Sequence, residues 1–313
     1  MIHYIIRRLL YIVPILLGAA LIFFLIFNVI GGQDRYLYNM LPKKVRTADQ
    51  IEVYRHKYGL DKPLTVQYFN YVKQMVTFNF GKSESRKLPV TRLIKRMVPV
   101  SAALTFPAFF LEIIISLGLA AVCAFYRGKI IDRILTISSV LGMSISMLVL
   151  IMLGQYFLSY RLHMFPISGW QRGIGAIRYL LLPWLLWITV SVGYDIRFFR
   201  TALLEEVHKD YVRTSKAKGM SETQIMFRHV LMNAMIPILT YVVIQIPFLL
   251  TGSIMLERFF GIPGIGSLMV NAIFNYDLPV LKAIVMVYTL FFVAFSLLTD
   301  VLYALVDPRI RLS

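Results

Sequence analysis

Charge is scarce in this chain: 16% of its 313 residues are Asp, Glu, Lys or Arg, where soluble globular domains run near a quarter. The shortage falls hardest on acids, with 16 Asp and Glu against 33 Lys and Arg and a net charge of +17. Cysteine is almost missing. Cys123 stands alone in an apolar run, which excludes an internal disulfide and leaves the redox compartment unread. The histidines at 3, 56, 163, 208 and 229 are scattered, without the spacing of a metal site. No glycine-rich phosphate loop of the form G-x-x-x-x-G-K-S/T occurs, so ATP is not expected on this chain. Gly261-Ile-Pro-Gly264-Ile-Gly266 invites a dinucleotide reading, but it follows an apolar helix rather than a strand and contains Pro263. A turning or re-entrant segment is expected there instead. No nucleophile, base and orienting partner can be grouped, so the chain is not expected to be an enzyme.

What the chain has is apolar length: 58% of it is hydrophobic. Six runs are long enough to cross a hydrocarbon core of about 30 Å. They are Leu9–Ile30, Pro99–Tyr126 (broken by Glu112), Ile134–Tyr160, Tyr179–Phe199 (Asp195 and Arg197 at its end), Val230–Leu256 and Leu281–Leu305 (Asp300 inside). A backbone in lipid must satisfy its own hydrogen bonds, which makes these runs helices. Arg7 and Arg8 before the first run resemble a signal peptide, yet the run is too long for one and lacks a small-residue cleavage site. The basic residues lie mostly between the runs, where lipid headgroups and topology account for them, and no nucleic-acid partner is expected.

Six spans put both termini on one side. With the N-terminus inside, the inner segments Met1–Arg8, Arg127–Arg133, Arg197–His229 and Val306–Ser313 hold 14 Lys and Arg, against 5 in the short outer loops Arg161–Arg178 and Glu257–Lys282. That bias favours N-in, C-in. The long outer segment Gly31–Arg96 carries the remaining 14, but long loops translocate largely regardless of charge. Arg92, Lys95 and Arg96, immediately before the second run, oppose the assignment. Within the segment, Thr47 is placed to cap a helix through Tyr58, closed by Gly59. Asp61 and Pro63 open another, whose apolar face is Leu64, Tyr68, Tyr71, Met75 and Phe78. The segment reads as a helical cap on the membrane domain or as a docking surface for an external partner.

Between the fourth and fifth runs, Leu203 to Lys218 predicts a polar helix ended at Gly219, a position suited to left-handed backbone. Ser221 with Gln224 forms a capping box that starts a second helix at once. That helix is expected to expose a ridge of Ile225, Met226 and Phe227, which points to a protein partner. A mere connector would be shorter.

Ionisable residues inside spans are costly and face an interior, a cavity or a partner. Glu112 serves a water-filled path or packing equally well. Asp195, within reach of Arg197 or Arg200, and Asp300 read as structural. Small residues at Ser138, Ser139, Gly142, Ser144 and Ser146, and at Thr251, Gly252 and Ser253, allow close helix approach or line a path. The path candidates are Glu112, Ser139, Ser144 and Thr251.

The run Asp210-Tyr-Val-Arg-Thr-Ser-Lys-Ala-Lys-Gly219-Met-Ser-Glu222, with Arg228-His229 and Asn233-Ala-Met-Ile-Pro237, resembles the signature loop of permease subunits of binding-protein-dependent ABC importers. The branch is the dipeptide/oligopeptide/nickel one and the subunit its B-type permease. Gly59-Leu-Asp61-Lys-Pro63-Leu, Phe80-Gly-Lys-Ser83, Phe165-Pro-Ile-Ser-Gly169, Pro263-Gly-Ile-Gly266 and Asp300-Val-Leu-Tyr303-Ala-Leu-Val-Asp307-Pro-Arg-Ile-Arg311 extend the likeness along nearly the whole chain. The chain departs from the wider importer pattern at Arg213-Thr214-Ser215, where that pattern has Glu-Ala-Ala, and from its branch at Gly31-Gly32-Gln33-Asp34.

The resemblance implies an all-α inner-membrane protein of six helices. Residues 1–31 form the first span, 32–97 an extracytoplasmic helical segment, and 98–313 the importer domain with its coupling loop at 200–230. It implies a coupling helix that sits in a cytoplasmic ATPase subunit, carried by Arg213, Lys216, Gly219, Met220, Ser221, Glu222, Ile225, Met226, Phe227 and Arg228. The implied partners are a second permease, two ATPase subunits that hold ATP and Mg, an external solute-binding protein, membrane lipid and a peptide cargo. Nickel or another small solute is the alternative cargo. A stand-alone secondary transporter would require inverted repeats, and none is evident; a receptor or scaffold would use the loop only to recruit a partner.

Overall fold

A computed structural model describes residues 2–26, 48–57, 59–251 and 254–306. Every apolar run within them is helical, and the only β pairing among these residues is an isolated bridge between Lys82 and Pro89. In chain order the helices are α1 (Ile2–Phe24), α2 (Ala48–Lys57), α3 (Leu64–Val76), α4 (Val90–Phe125), α5 (Ile130–Ser144) and α6 (Met147–Gly154). There follow α7 (Ala176–Val207), α8 (Asp210–Ala217), α9 (Glu222–Ile225), α10 (Leu231–Gln245), α11 (Ile254–Phe259), α12 (Ile265–Phe274) and α13 (Leu278–Val306). Among the described residues, four stretches are long and apolar enough to cross a membrane: Val90–Phe125, Gly173–Val207, Glu222–Leu249 and Leu278–Thr299. A bent pair, Ile130–Ser144 with Met147–Arg161, makes a fifth if it is one span, and Val13–Phe24 is a shorter apolar helix.

The third run is not the straight helix its composition predicts. It turns by 95° between α5 and α6, where Ile145 and Ser146 adopt extended backbone. The Ser144 hydroxyl bonds back to the Val140 carbonyl, an arrangement that competes with the helix's own ladder. The chain falls into two compact units. One holds the residues up to Ser101 with Pro263–Leu297, and the other holds Ala102–Ile262 with the residues from Leu298.

In the first unit α3 lies on α1. Tyr71 stacks on Phe23, Tyr68 meets Phe24 edge-on, and the Tyr68 hydroxyl donates to the Leu17 carbonyl at 3.0 Å. The buried face of α3 is Gln67, Tyr71 and Met75, while Leu64 and Phe78 are exposed. The predicted five-residue apolar stripe is thus narrower, because Phe78 lies past the helix end at positive φ. Gly59 does take left-handed backbone (φ +64), and Pro63 occupies the N-cap of α3. Asp61 caps nothing. Its carboxylate lies 2.6 Å from His56 Nδ1, and that hydrogen bond holds it below the usual carboxylate range. Thr47, Tyr58 and the Gly31–Asp34 stretch lie outside the described residues.

Two polar devices close this unit. The buried Asp277 carboxylate accepts from the backbone N–H groups of Glu84 (3.2 Å) and Ser85 (3.1 Å) and from the hydroxyls of Ser83 and Ser85. It thereby pins the turn before α4 to the start of α13. Ser101 Oγ accepts from the Ile265 N–H at 2.7 Å, satisfying one orphan donor at the start of α12.

In the second unit small residues set helix spacing. A Cβ on Gly193 of α7 would stand 2.6 Å from the Ser139 carbonyl of α5, and one on Gly154 of α6 would stand 2.8 Å from Leu186 of α7. The apolar core gathers Phe109, Phe199, Leu203, Val230 and Ile238 from α4, α7 and the α9–α10 region.

Candidate functional site

The polar loop is assembled from short local rules. α7 does not stop at the end of its apolar run but continues to Val207. The single helix expected over Leu203 to Lys218 is therefore two, because Lys209 turns extended and caps α8. Glu206 holds that corner, accepting from Lys209 Nζ at 2.5 Å and from the Tyr211 hydroxyl at 2.8 Å. Burial, and then the Glu206 contact against an opposing bond to Asn233, keeps the Tyr211 phenol above its ordinary pKa.

α8 ends as expected. Gly219 has φ +80 with open space where a Cβ would stand, so backbone conformation alone selects glycine. Two residues later Ser221 Oγ accepts from the Gln224 N–H and Gln224 Oε1 accepts from the Ser221 N–H, each at 3.3 Å, completing the capping box. Lys216 Nζ spans the hinge to Glu222 Oε1 at 3.5 Å, whereas Arg213 pairs within its own helix with Asp210.

The expected apolar ridge is mostly buried. Ile225 and Met226 are 3% and 7% exposed and belong to the unit's own core; Phe227 alone of the three faces out, at 58%. The reason is continuity: a π turn over Met226–Val230 joins α9 to α10, so this short helix is the first stretch of the long apolar one. Its inner face is spoken for by the span it begins. Of the remaining loop residues, Met220 is half-buried and Arg213, Lys216, Gly219, Ser221, Glu222 and Arg228 are exposed.

A second constellation lies between apolar helices. Glu112 of α4 is 3% exposed, and the Trp187 indole of α7 donates to its Oε2 at 2.7 Å. Asp195 of α7, 2% exposed, accepts from the Tyr241 hydroxyl of α10 at 3.1 Å, and its carboxyl adjoins that of Glu112. The cluster ties three helices together. Glu112 is thus buried and hydrogen-bonded to Trp187 within this chain. Asp195 does not pair with Arg197 or Arg200 as the spacing suggested. Arg200 instead grips Asp132 with two bonds of 2.8 Å, a partner 68 residues away that no local pattern announces.

The hydroxyl of Ser139 is buried and bonds to Leu135 O, and that of Ser144 is exposed and bonds to Val140 O. The side chains of Thr251 and Asp300 lie outside the described residues. Near Gly261, Gln155 Nε2 donates to the carbonyls of Ile167 and Phe259, and the Gly169 N–H to the Phe260 carbonyl. Gly261 to Gly264 forms the turn between α11 and α12, and Ile265 and Gly266 already belong to α12.

Comparison with known proteins places these features in a lineage. Residues 113–312 match the family described as the inner membrane component of binding-protein-dependent transport systems, and residues 1–105 match the N-terminal part of such components. The dipeptide transport system permease protein DppB of Lactococcus lactis is 36% identical over the full length of both chains. The oligopeptide transport system permease protein AppB of Bacillus subtilis is 35% identical, covering 98% of this chain and 99% of its own. The glutathione transport system permease protein GsiC of Salmonella choleraesuis is 33% identical over 99% of each. Among solved structures, an inward-facing form of the MetNI methionine ABC transporter shares the fold, with a TM-score of 0.57 at 19% identity over 69% of this chain and 97% of that one.

Proposed function

The chain belongs to the family of inner-membrane components of binding-protein-dependent transport systems, and from that premise we propose that it forms half of an ATP-driven import path for peptides. It is a multi-pass membrane permease, not an enzyme. Peptide cargo is supported by relatives named for dipeptide, oligopeptide and glutathione transport, and none of these is named for nickel. The proposed topology is six spans, N-in and C-in, with α1 as the first and the bent α5–α6 pair as the third. Residues 1–31, 32–97 and 98–313 are first span, extracytoplasmic segment and importer domain. The partners are a second, different permease, two cytoplasmic ATPase subunits carrying ATP and Mg, and an external solute-binding protein.

One observation carries the coupling role: a glycine-hinged, side-chain-capped helix, with Phe227 and Arg228 exposed, runs without a break into a membrane-length apolar helix. A push on α9 is therefore a push on α10. Phe227 and Arg228 enter the ATPase groove, and Glu222, Ser221 and Lys216 hold the hinge. Arg213 borders it, while Met220, Ile225 and Met226 transmit the load inward to the core. ATP-driven closure of the ATPase pair turns the path outward, and hydrolysis resets it. The translocation path runs past the small-residue bend at Ser144 and past Thr251, with Ser139 and Glu112 holding its wall.

The test is ATP-dependent uptake of a labelled peptide by vesicles containing the assembled transporter and its binding protein. Phe227→Asp is expected to cut uptake at least about tenfold, the cost of placing a charge in an apolar socket, while the subunits still insert and co-purify. Normal uptake by that variant overturns the coupling role.

A further inference from the structure

A cavity in the first unit plays no part in the coupling loop or the buried cluster. The end of α2, the outer side of α3, the Phe80–Glu84 turn and the start of α13 enclose a half-open hollow of about 610 Å³, a volume typical of small-molecule sites. Four lysines line it, Lys62, Lys73, Lys82 and Lys282. Asn70, Gln74 and Asn79 add amides, and Phe80 and Leu278 add an apolar wall.

The charge of this hollow is offset only in part, by the exposed Asp61 carboxylate beside Lys62 and His56. Among the described residues, no carboxylate stands within 4.0 Å of any of the four lysines. Glu84, the acid in the lining, is paired with Lys87 at 3.1 Å. Asp277, next to Leu278, is taken up by the Ser83–Ser85 turn. Lys282 is half-buried, and its Nζ lies 5.1 Å from the centre of the Tyr71 ring. A ring face replaces only part of the hydration such an ammonium loses. Half-buried charge without a counter-ion is costly, and an anionic ligand relieves the cost.

We infer that this cavity is a subsite for a short peptide with a free C-terminal carboxylate, which Lys282 receives at the inner end while Lys73 and Lys82 flank it. The amides suit the peptide backbone, and the Phe80–Leu278 wall suits an apolar side chain. The ligand class rests on the peptide-cargo reading, whereas its charge rests on the cavity alone.

The experiment uses the assembled permease–ATPase complex in nanodiscs without binding protein, with labelled tri-alanine and its C-terminal amide as probes in equilibrium dialysis. The free acid is expected to bind about tenfold more tightly than the amide, the worth of one charge-assisted hydrogen bond. Lys282→Gln removes that preference, and Lys82→Gln, at the exposed rim, weakens it a few-fold. Equal binding of acid and amide by the unaltered complex overturns the proposal whether or not either variant assembles. Retention that inorganic phosphate abolishes as readily as unlabelled peptide marks a general anion site and also overturns it. With binding protein added, uptake of tri-alanine and its amide at equal rates, with equal retention, sinks the cavity alone. Failure to import any peptide sinks the cargo reading instead.

Discussion

Asp277 shows how much one side chain can hold. Its carboxylate takes two backbone N–H groups and two hydroxyls from a turn almost two hundred residues earlier in the chain. Truncation to alanine leaves those donors buried without an acceptor. Asp277→Ala is therefore expected to cost about 3 kcal/mol and to lower the thermal midpoint of the detergent-solubilised chain. Asp277→Asn, which keeps one accepting oxygen, is expected to lose less. An unchanged midpoint in the alanine variant refutes the clamp. Nothing in the spacing of Asp277 marks it for this role, and the same holds for Asp132 with Arg200 and Glu112 with Trp187. Sequence reasoning could say that Glu112 and Asp195 are expensive where they stand. It could not say which neighbour offsets the cost, because partners 75 or 46 residues apart meet only through helix packing.

At the scale of elements, the glycine turn and the capping box were legible because both are local: Gly219 and the Ser221–Gln224 pair need no residue beyond their own few neighbours. Where the reading failed, continuity was at stake. The helix break at His208–Lys209, the bend at Ile145–Ser146 and the inward turn of Ile225 and Met226 each depend on what the adjoining span packs against. The hinge itself gives a clean test. Open space around Gly219 means a substitution there acts through φ rather than through a clash. Gly219→Asn, which tolerates left-handed backbone, is expected to keep near-normal peptide uptake. Gly219→Val, opposed by about 1–2 kcal/mol, is expected to lose about tenfold. Equal uptake by the two variants would show that the left-handed turn is not required.

For the whole molecule, the proposed N-in, C-in topology puts Lys82 and Phe227 on opposite faces of the membrane. Single cysteines at Lys82 and Phe227, introduced with Cys123 replaced by alanine, are to be probed with a membrane-impermeant maleimide on intact cells. Lys82→Cys is expected to react directly and Phe227→Cys only after permeabilisation; labelling of both from the same side removes the assignment. The sequence by itself determined that this is a helical membrane protein, where its apolar runs lie, that a capped glycine hinge interrupts them, and which family it resembles. These follow from hydropathy, from backbone preference and from contiguous motifs, all of which act over a few residues. Only the tertiary structure decided that the hinge helix and the fifth run form one rod, that Glu112 and Asp195 are packed rather than exposed, and that four lysines from three separate stretches line one hollow. Those outcomes depend on which faces meet when helices pack, and hydropathy along the chain carries no record of that.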